Sequence, residues 1–521
     1  MSDKKIFPTR IALIVALGGF LMGFDASVIS GVVRFIEAEF MLSKLELGWA
    51  VGSLTLTATL AMLCSGWLSD RYGRRNVLMA AAILFAVSAM GSALATNFTL
   101  FVIARMVGGL GVGASLIIAP MYIAEISPAK IRGKLVSFNQ LNIVVGISAA
   151  FFSNYLILQW AQSDAGWVEA LLIGEHAWRW MLGVEAIPAV IYFLGLLFVP
   201  ASPRWQIMKG KVDEARVTLN RLVGSDAAQQ QLDDVKKSLE ADKHRDKVSI
   251  KEIFHPALRY VLLIGVTLAI LQQITGINAV FFYAPIIFEQ SGIGTDASFM
   301  QAILVGLINV FFTVLAILFI DKLGRRPLLI GGLTGITIAM MVLAYGFHSA
   351  TYQLDPAQVE ALEIPLDEEL LGSLYGVTFQ NDVHFKNAVI DVFGQEAAVE
   401  YEAALIQAAI DINPVLILFG ILGFVASFAI SLGPVMWVMF SELFPLRVRA
   451  LAISFAGFIN SAFSFLVQLV FPWELATIGS SLTFLIYGLF AAAGLIFVWR
   501  IVPETKNKTL EELEVMLVKK E

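Results

Sequence analysis

Apolar residues in this chain fall into long unbroken runs, not into the alternation of a half-buried strand or the stripe of a surface helix. Twelve runs stand out, at 11–33, 47–69, 77–96, 100–123, 135–158, 178–200, 258–288, 299–320, 327–348, 414–440, 450–471 and 482–502. Each has about the 20 residues that a helix needs to cross the hydrocarbon core of a bilayer. The pattern predicts an all-α polytopic membrane protein with twelve transmembrane helices. Two long polar stretches separate spans, at 203–256 and about 350–413. Composition agrees: 58% of the 521 residues are hydrophobic, 15% are charged and mean hydropathy is +0.77, where a soluble domain carries about 25% charge. The net charge of −6 does not point to nucleic acid, and the single cysteine, Cys64, excludes an intrachain disulfide. The opening MSDKKIFPTR lacks a cleavage site and the first run is long enough to remain as a span, so no signal peptide is expected.

Basic residues set an orientation. With the N-terminus inside, 31 of the 36 Lys and Arg residues fall in cytoplasmic segments. They include Arg71, Arg74 and Arg75, then Lys130, Arg132 and Lys134, then eleven residues from Arg204 to Lys251. Arg34, Lys44, Arg179 and Lys386 fall outside, and Arg105 lies within a span. Both termini are therefore expected in the cytoplasm of a cell (inner) membrane.

Three marks recur in the same order. GWLSDRYGRR (66–75) after span 2 matches DKLGRR (321–326) after span 8. EISPAKIRG (125–133) after span 4 matches ELFPLRVR (442–449) after span 10. VPASPRW (199–205) after span 6 matches VPETKNKTLEE (502–512) after span 12. The chain reads as two six-span halves, 1–202 and 257–502, joined by a cytoplasmic helical linker at 203–256 and followed by a tail at 503–521. Parallel halves of this kind place a substrate site near the midplane between them. Asp70 and Glu125 are 55 positions apart, whereas Asp321 and Glu442 are 121 apart. The excess of 66 matches the acidic stretch at about 350–413, read as a small, partly helical external cap. Within the linker, 213–222 and 226–240 read as amphipathic helices.

These motifs, with the run LQQITGINAVFFYAP in span 7, resemble the sugar porter family of the major facilitator superfamily, and in detail its bacterial proton-coupled monosaccharide symporters. The resemblance covers nearly all of the chain except the insertion. It implies the major facilitator fold and import of a hexose or pentose by alternating access, coupled to proton entry. Two departures are visible: Ala201 stands where a Glu is usual, and Ile317 where a Gly is usual.

A sugar is a ring of hydroxyls, and side-chain amides both donate and accept. Gln272, Gln273 and Asn278 in span 7 are costly in a membrane unless they face a cavity or another helix, and Gly276 and Pro285 are expected to break the helix beside them. The resemblance adds Gln140, Asn309, Trp437 and Asn460 as sugar contacts, with Phe24 and Tyr283 as aromatic walls or gates. Ile147 and Ser461 replace a Gln and a Trp of xylose-type pockets. The repeated loop residues imply ion pairs that gate the cytoplasmic side: Asp70 with a helix N-terminus and an Arg of a neighbouring loop, Glu125 with Arg132, and likewise Glu442 with Arg449, with Arg74, Asp321 and Arg325 among the same gating residues.

Asp25 lies at the middle of span 1, where a charged residue costs about 2.5–3.5 kcal/mol. Arg105 of span 4 is its expected partner, with Gly19, Gly23, Gly109 and Gly113 allowing close approach. A buried pair is seldom a net gain, so a proton-coupling role is expected: paired, Asp25 stays ionised; unpaired and desolvated, it takes a proton. Glu185 in span 6 is a second intramembrane acid that matches the symporters. No nucleotide-binding loop, metal-ligand spacing or nucleophile–base arrangement occurs, so no cofactor, metal or enzymatic activity is expected, and the partners are a sugar, a proton and membrane lipid around a functional monomer. Alternatives are a facilitative sugar or polyol uniporter, which Asp25 opposes, and a non-transporting sugar sensor, which the short tail opposes.

Overall fold

The computed structural model of the chain describes residues 3–128, 131–243, 249–360, 368–445, 447–508 and 510–517. Among these, 12 helical segments are long and apolar enough to cross a membrane. Spans 1–6 are Phe7–Gly31, Lys44–Tyr72, Arg74–Ala93, Phe98–Ile126, Arg132–Ala161 and Ala177–Leu197. Spans 7–12 are Pro256–Glu289, Thr295–Leu323, Arg325–His348, Pro414–Leu443, Arg449–Thr477 and Gly479–Ile501. Spans 2, 4, 5 and 8 are 29 or 30 residues long and run beyond the apolar stretches into flanking polar residues.

Three spans are interrupted, and each interruption carries candidate chemistry. Span 6 breaks between Gly183 and Ala186, which places Glu185 at the start of the second piece. Span 7 breaks at Gly276, whose φ of 92° suits a residue without Cβ, and bends again at Tyr283, two residues before Pro285. Span 10 breaks at Ser431.

The chain forms two compact units. The first comprises Met1–Ser27, Ser53–Ala150 and Arg179–Ser249; the second comprises Val28–Gly52, Phe151–Trp178 and Ile250–Glu521. In the first unit, Phe85, Ile118, Tyr122, Tyr192 and Leu196 belong to one continuous buried apolar cluster. Its helices Val212–Val223 and Ser225–Lys243 join apolar faces through Leu219, Ala228 and Leu232, as the amphipathic pattern of 213–222 and 226–240 predicts.

Glycines allow helix backbones to touch, but not between the spans expected. A Cβ on Gly23 would lie 2.0 Å from the Ile143 carbonyl oxygen, and one on Gly19 2.7 Å from that of Asn139, both in span 5. On span 4, Gly109 and Gly113 face Leu54 and Ala58 of span 2. The glycine that admits Asp25 is Gly108, where a Cβ would meet the Asp25 Oδ2 at 2.9 Å.

In the second unit, the stretch at 350–413 is a folded module. Thr351–Tyr352 pairs antiparallel with Ile410–Asp411 and closes its base. A long helix, Asp382–Ala409, bends at Gly394 and packs Phe385, Val389, Ala398 and Leu405 against Tyr352, Leu354, Leu371 and Leu374. The helical content expected of the insertion appears also in Pro356–Glu360 and Glu368–Gly372; residues 361–367 lie outside the described set.

Candidate functional site

In the second unit, the amides of spans 7 and 11 form one hydrogen-bonded group. Gln272 donates through Nε2 to the carbonyls of Leu432 (3.1 Å) and Gly433 (3.2 Å), two groups near the break in span 10. Asn460 donates to Gln272 Oε1 (2.8 Å) and to the Ala269 carbonyl (2.9 Å), and accepts from Gln273 Nε2 (3.2 Å). Asn278 donates to Gln273 Oε1 (2.7 Å) and Ser464 Oγ (2.6 Å). Pairing the amides with one another avoids the cost of burying them unmatched.

The cluster extends beyond the residues the sequence points to. Gln468 donates to Ser464 Oγ (2.8 Å), and Tyr283 donates through its hydroxyl to the Gln468 carbonyl (2.8 Å). Asn460, Ser464 and Gln468 recur every four residues, so they share one face of span 11. That spacing is the signal that finds them. Tyr283 is buried against Phe471, their ring centroids 5.2 Å apart. Asn309 is buried, and among the described residues it makes no hydrogen bond to this cluster. Trp437 is half-exposed and packs its ring on Phe440.

The first unit holds Phe24, Gln140 and the charged residues of the membrane interior. Phe24 is buried beside Phe20. Gln140 is exposed on span 5, and its neighbour Asn139 is buried. Asp25 and Arg105 are both fully buried and paired through Oδ1 and Nη1, with Arg105 Nη2 donating to the Asp25 carbonyl at 3.2 Å. The second carboxylate oxygen, Asp25 Oδ2, has no hydrogen-bond partner, nor has Arg105 Nε. Glu185 is equally buried, near enough to feel both charges, and its Oε1 is likewise unpartnered. Three ionisable groups thus lie buried together, with one polar atom of each left without a hydrogen-bond partner.

The loop motifs form two copies of one network, wired differently from the expectation. Arg74 pairs with Asp70 (2.7 Å) and reaches both oxygens of Glu125 (3.1 Å each). Arg325 pairs with Asp321 (3.0 Å) and Glu442 (2.8 Å). Glu125 therefore takes Arg74 rather than Arg132, which is exposed at the start of span 5. Glu442 takes Arg325 rather than Arg449, whose Nε donates to the Phe444 carbonyl at 2.9 Å. In both copies an Arg at the first position of one helix, Arg74 or Arg325, reaches the acid in the last turn of another, Glu125 or Glu442. Ser202 and Thr505 complete the copies, donating to Glu125 and to Glu442 respectively.

The family model described as "Sugar (and other) transporter" matches residues 11–356 and 397–517. The gap, 357–396, falls inside the external module. The arabinose-proton symporter of Bacillus subtilis (strain 168) is 34% identical over 99% of this chain and 97% of its own. The D-xylose-proton symporter of Escherichia coli (strain K12) is 34% identical over 97% of this chain and 95% of its own. The inward-open structure of the xylose transporter XylE from E. coli superposes with a TM-score of 0.73 at 33% identity, covering 97% of this chain and 99% of that one. With the amide cluster, the paired intramembrane charges and the duplicated loop network in one twelve-span chain, this protein belongs to the sugar transporter family of the major facilitator superfamily.

Proposed function

We propose that this protein imports a monosaccharide together with a proton by alternating access, with both termini in the cytoplasm. The observation that carries the proposal is the Asp25–Arg105 pair: fully buried, with one carboxylate oxygen on the guanidinium and the other unpartnered. A structural pair that leaves half its carboxylate unsatisfied is a poor stabiliser. A carboxylate that exchanges its Arg partner for a proton is a coupling element, because its protonation and the sugar bias one conformational equilibrium. Glu185 tunes Arg105 from the other side.

The amides Gln272, Gln273, Asn278 and Asn460 bind the sugar hydroxyls, supported by Tyr283, Asn309 and Trp437. Phe24 and Gln140 keep the role that the family resemblance gives them. The relatives named for arabinose and xylose favour a pentose or a closely similar hexose as substrate. The networks around Glu125 and Glu442 gate the cytoplasmic side, where 31 of 36 basic residues lie under this orientation. The reading needs one copy of the chain in a lipid bilayer and assigns no enzymatic step.

The test is uptake into proteoliposomes from a panel of labelled pentoses and hexoses, with and without an inward proton gradient. Accumulation of one sugar above equilibrium, dependent on the gradient, is the expected result. Equal equilibration either way establishes the uniporter reading; movement of no sugar reopens the substrate class.

A further inference from the structure

The external module contributes two charges to a cluster that the transport mechanism does not use. Glu402, on the long module helix, accepts from Lys386 Nζ (3.1 Å) across the bend at Gly394 and from Gln290 Nε2 (3.1 Å) just after span 7, and forms an ion pair with Lys44 Nζ (3.6 Å) at the first residue of span 2. Lys44 also pairs with Glu37 of the short helix Val33–Glu39. Beside them, Arg34 pairs with Glu289 at the end of span 7 (3.0 Å). Three acids and three bases therefore line a cavity of about 70 Å³, together with Tyr283 and Pro472. Gln290 lines the same cavity, and its buried Oε1 has no hydrogen-bond partner.

The module is fixed to one side of this cluster. Its paired strands join directly onto spans 9 and 10. Asp382 accepts from the Ser480 backbone N–H (2.9 Å) and hydroxyl (2.8 Å), capping the start of span 12. Glu402 therefore moves with spans 9–12, whereas Lys44 and Glu37 belong to the stretch that links spans 1 and 2. Nothing covalent ties that stretch to the module.

We propose that the module is an external latch, in which Glu402 holds Lys44 and thereby keeps the outer ends of spans 1 and 2 against the second six-span half. This proposal rests on the alternating-access reading above, because it assigns the latch to the outward-closed conformation. Opening the outer mouth separates Lys44 from Glu402 while the anchor at Asp382 stays in place. A contact made in one conformation only shifts the balance by its own interaction free energy. Burial pushes the Glu402 carboxyl up, but Lys386 and Lys44 outweigh burial and hold it below the usual carboxylate range. The latch is therefore charged under ordinary conditions.

The experiment uses the full chain with Cys64→Ala and a reporter Ala476→Cys in the wall of the cavity, in right-side-out vesicles without sugar or gradient. A membrane-impermeant maleimide reads how often the outer mouth opens. Glu402→Gln and Lys44→Gln are each expected to speed labelling several-fold, and the double variant to label no faster than the faster single one. Lys44→Arg, which keeps the charge, stays slow, and so does Lys386→Gln, which leaves the Lys44 contact in place. Should Glu402→Gln fail to fold, the Lys44 pair of variants carries the same comparison. Labelling at the parent rate in Lys44→Gln, or multiplied effects in the double variant, overturns the latch. Uptake assayed on the same vesicles separates the two readings. Faster labelling without sugar uptake keeps the latch and sinks the transport reading; uptake with unchanged labelling sinks only the latch.

Discussion

Ala201 and Glu504 occupy the same place after spans 6 and 12 and do different things. The Glu504 carboxylate accepts from the backbone N–H groups of Arg325 and Arg326 (3.1 Å each), capping span 9. Span 3 begins with Arg74 in the same way, but its N-cap residue, Gly73, provides no side-chain cap and Ala201 has no carboxylate to offer. A carboxylate at a helix N-terminus contributes about 0.3–1 kcal/mol at an exposed site, and loss of a cap costs about 0.5–2 kcal/mol. Glu504→Ala is therefore expected to lower thermal stability measurably, and Ala201→Glu to raise it slightly, as read by the unfolding midpoint of purified protein. The departure at Ala201 is legible in the sequence; its consequence needs the structure, because only there does Glu504 turn toward the start of span 9. The same holds for the gating pairs. The residues Glu125, Arg132, Glu442 and Arg449 stand out by repetition, yet their partners depend on which helix end faces which loop.

At the scale of elements, periodicity and length locate all twelve spans, but not where they break. Gly276 is an exception, since Gly beside paired amides marks a break in advance. The breaks at Glu185 and Ser431 carry a weaker mark, a proline three residues further on in each case, Pro188 and Pro434. Glycine spacing likewise shows that helices touch without showing which, so Gly23 and Gly109 serve spans 5 and 2 in place of the Asp25–Arg105 contact. Gly276 tests the broken-span view. Its φ of 92° is strained for any residue with a Cβ, and that atom would meet the Tyr487 ring at 2.3 Å. Gly276→Ala is expected to displace the second half of span 7, and with it Asn278 and Tyr283. Sugar binding should weaken at least tenfold by equilibrium binding, with the protein still folded.

For the whole molecule, the repeat and the charge bias reach as far as the architecture and its orientation. The external module is legible as an acidic, partly helical excess of 66 positions, but not its attachment, because its acids read as a solvated surface until Lys44, Lys386 and Gln290 are seen around Glu402. Its behaviour with pH follows from that cluster. Glu402 is held below its ordinary value, so its stabilising contribution is complete above about pH 4.3. It is lost only as pH falls through the lower folded value. Burial raises Glu37, so acid protonates that partner of Lys44 first and leaves Glu402 holding it. Maleimide labelling of the Ala476→Cys reporter, corrected by an exposed reference cysteine, is expected not to change between pH 7 and 5.5. A rise over that interval contradicts the assignment of Glu402 as the ionised tie.

If Asp25 is there for the proton, one variant shows it. In proteoliposomes loaded with the transported sugar, Asp25→Asn is measured both for exchange of labelled sugar and for uphill accumulation under an inward proton gradient. Exchange is expected to survive within a few-fold while accumulation is abolished. Accumulation retained by Asp25→Asn contradicts that role and leaves Asp25 and Arg105 as a static pair.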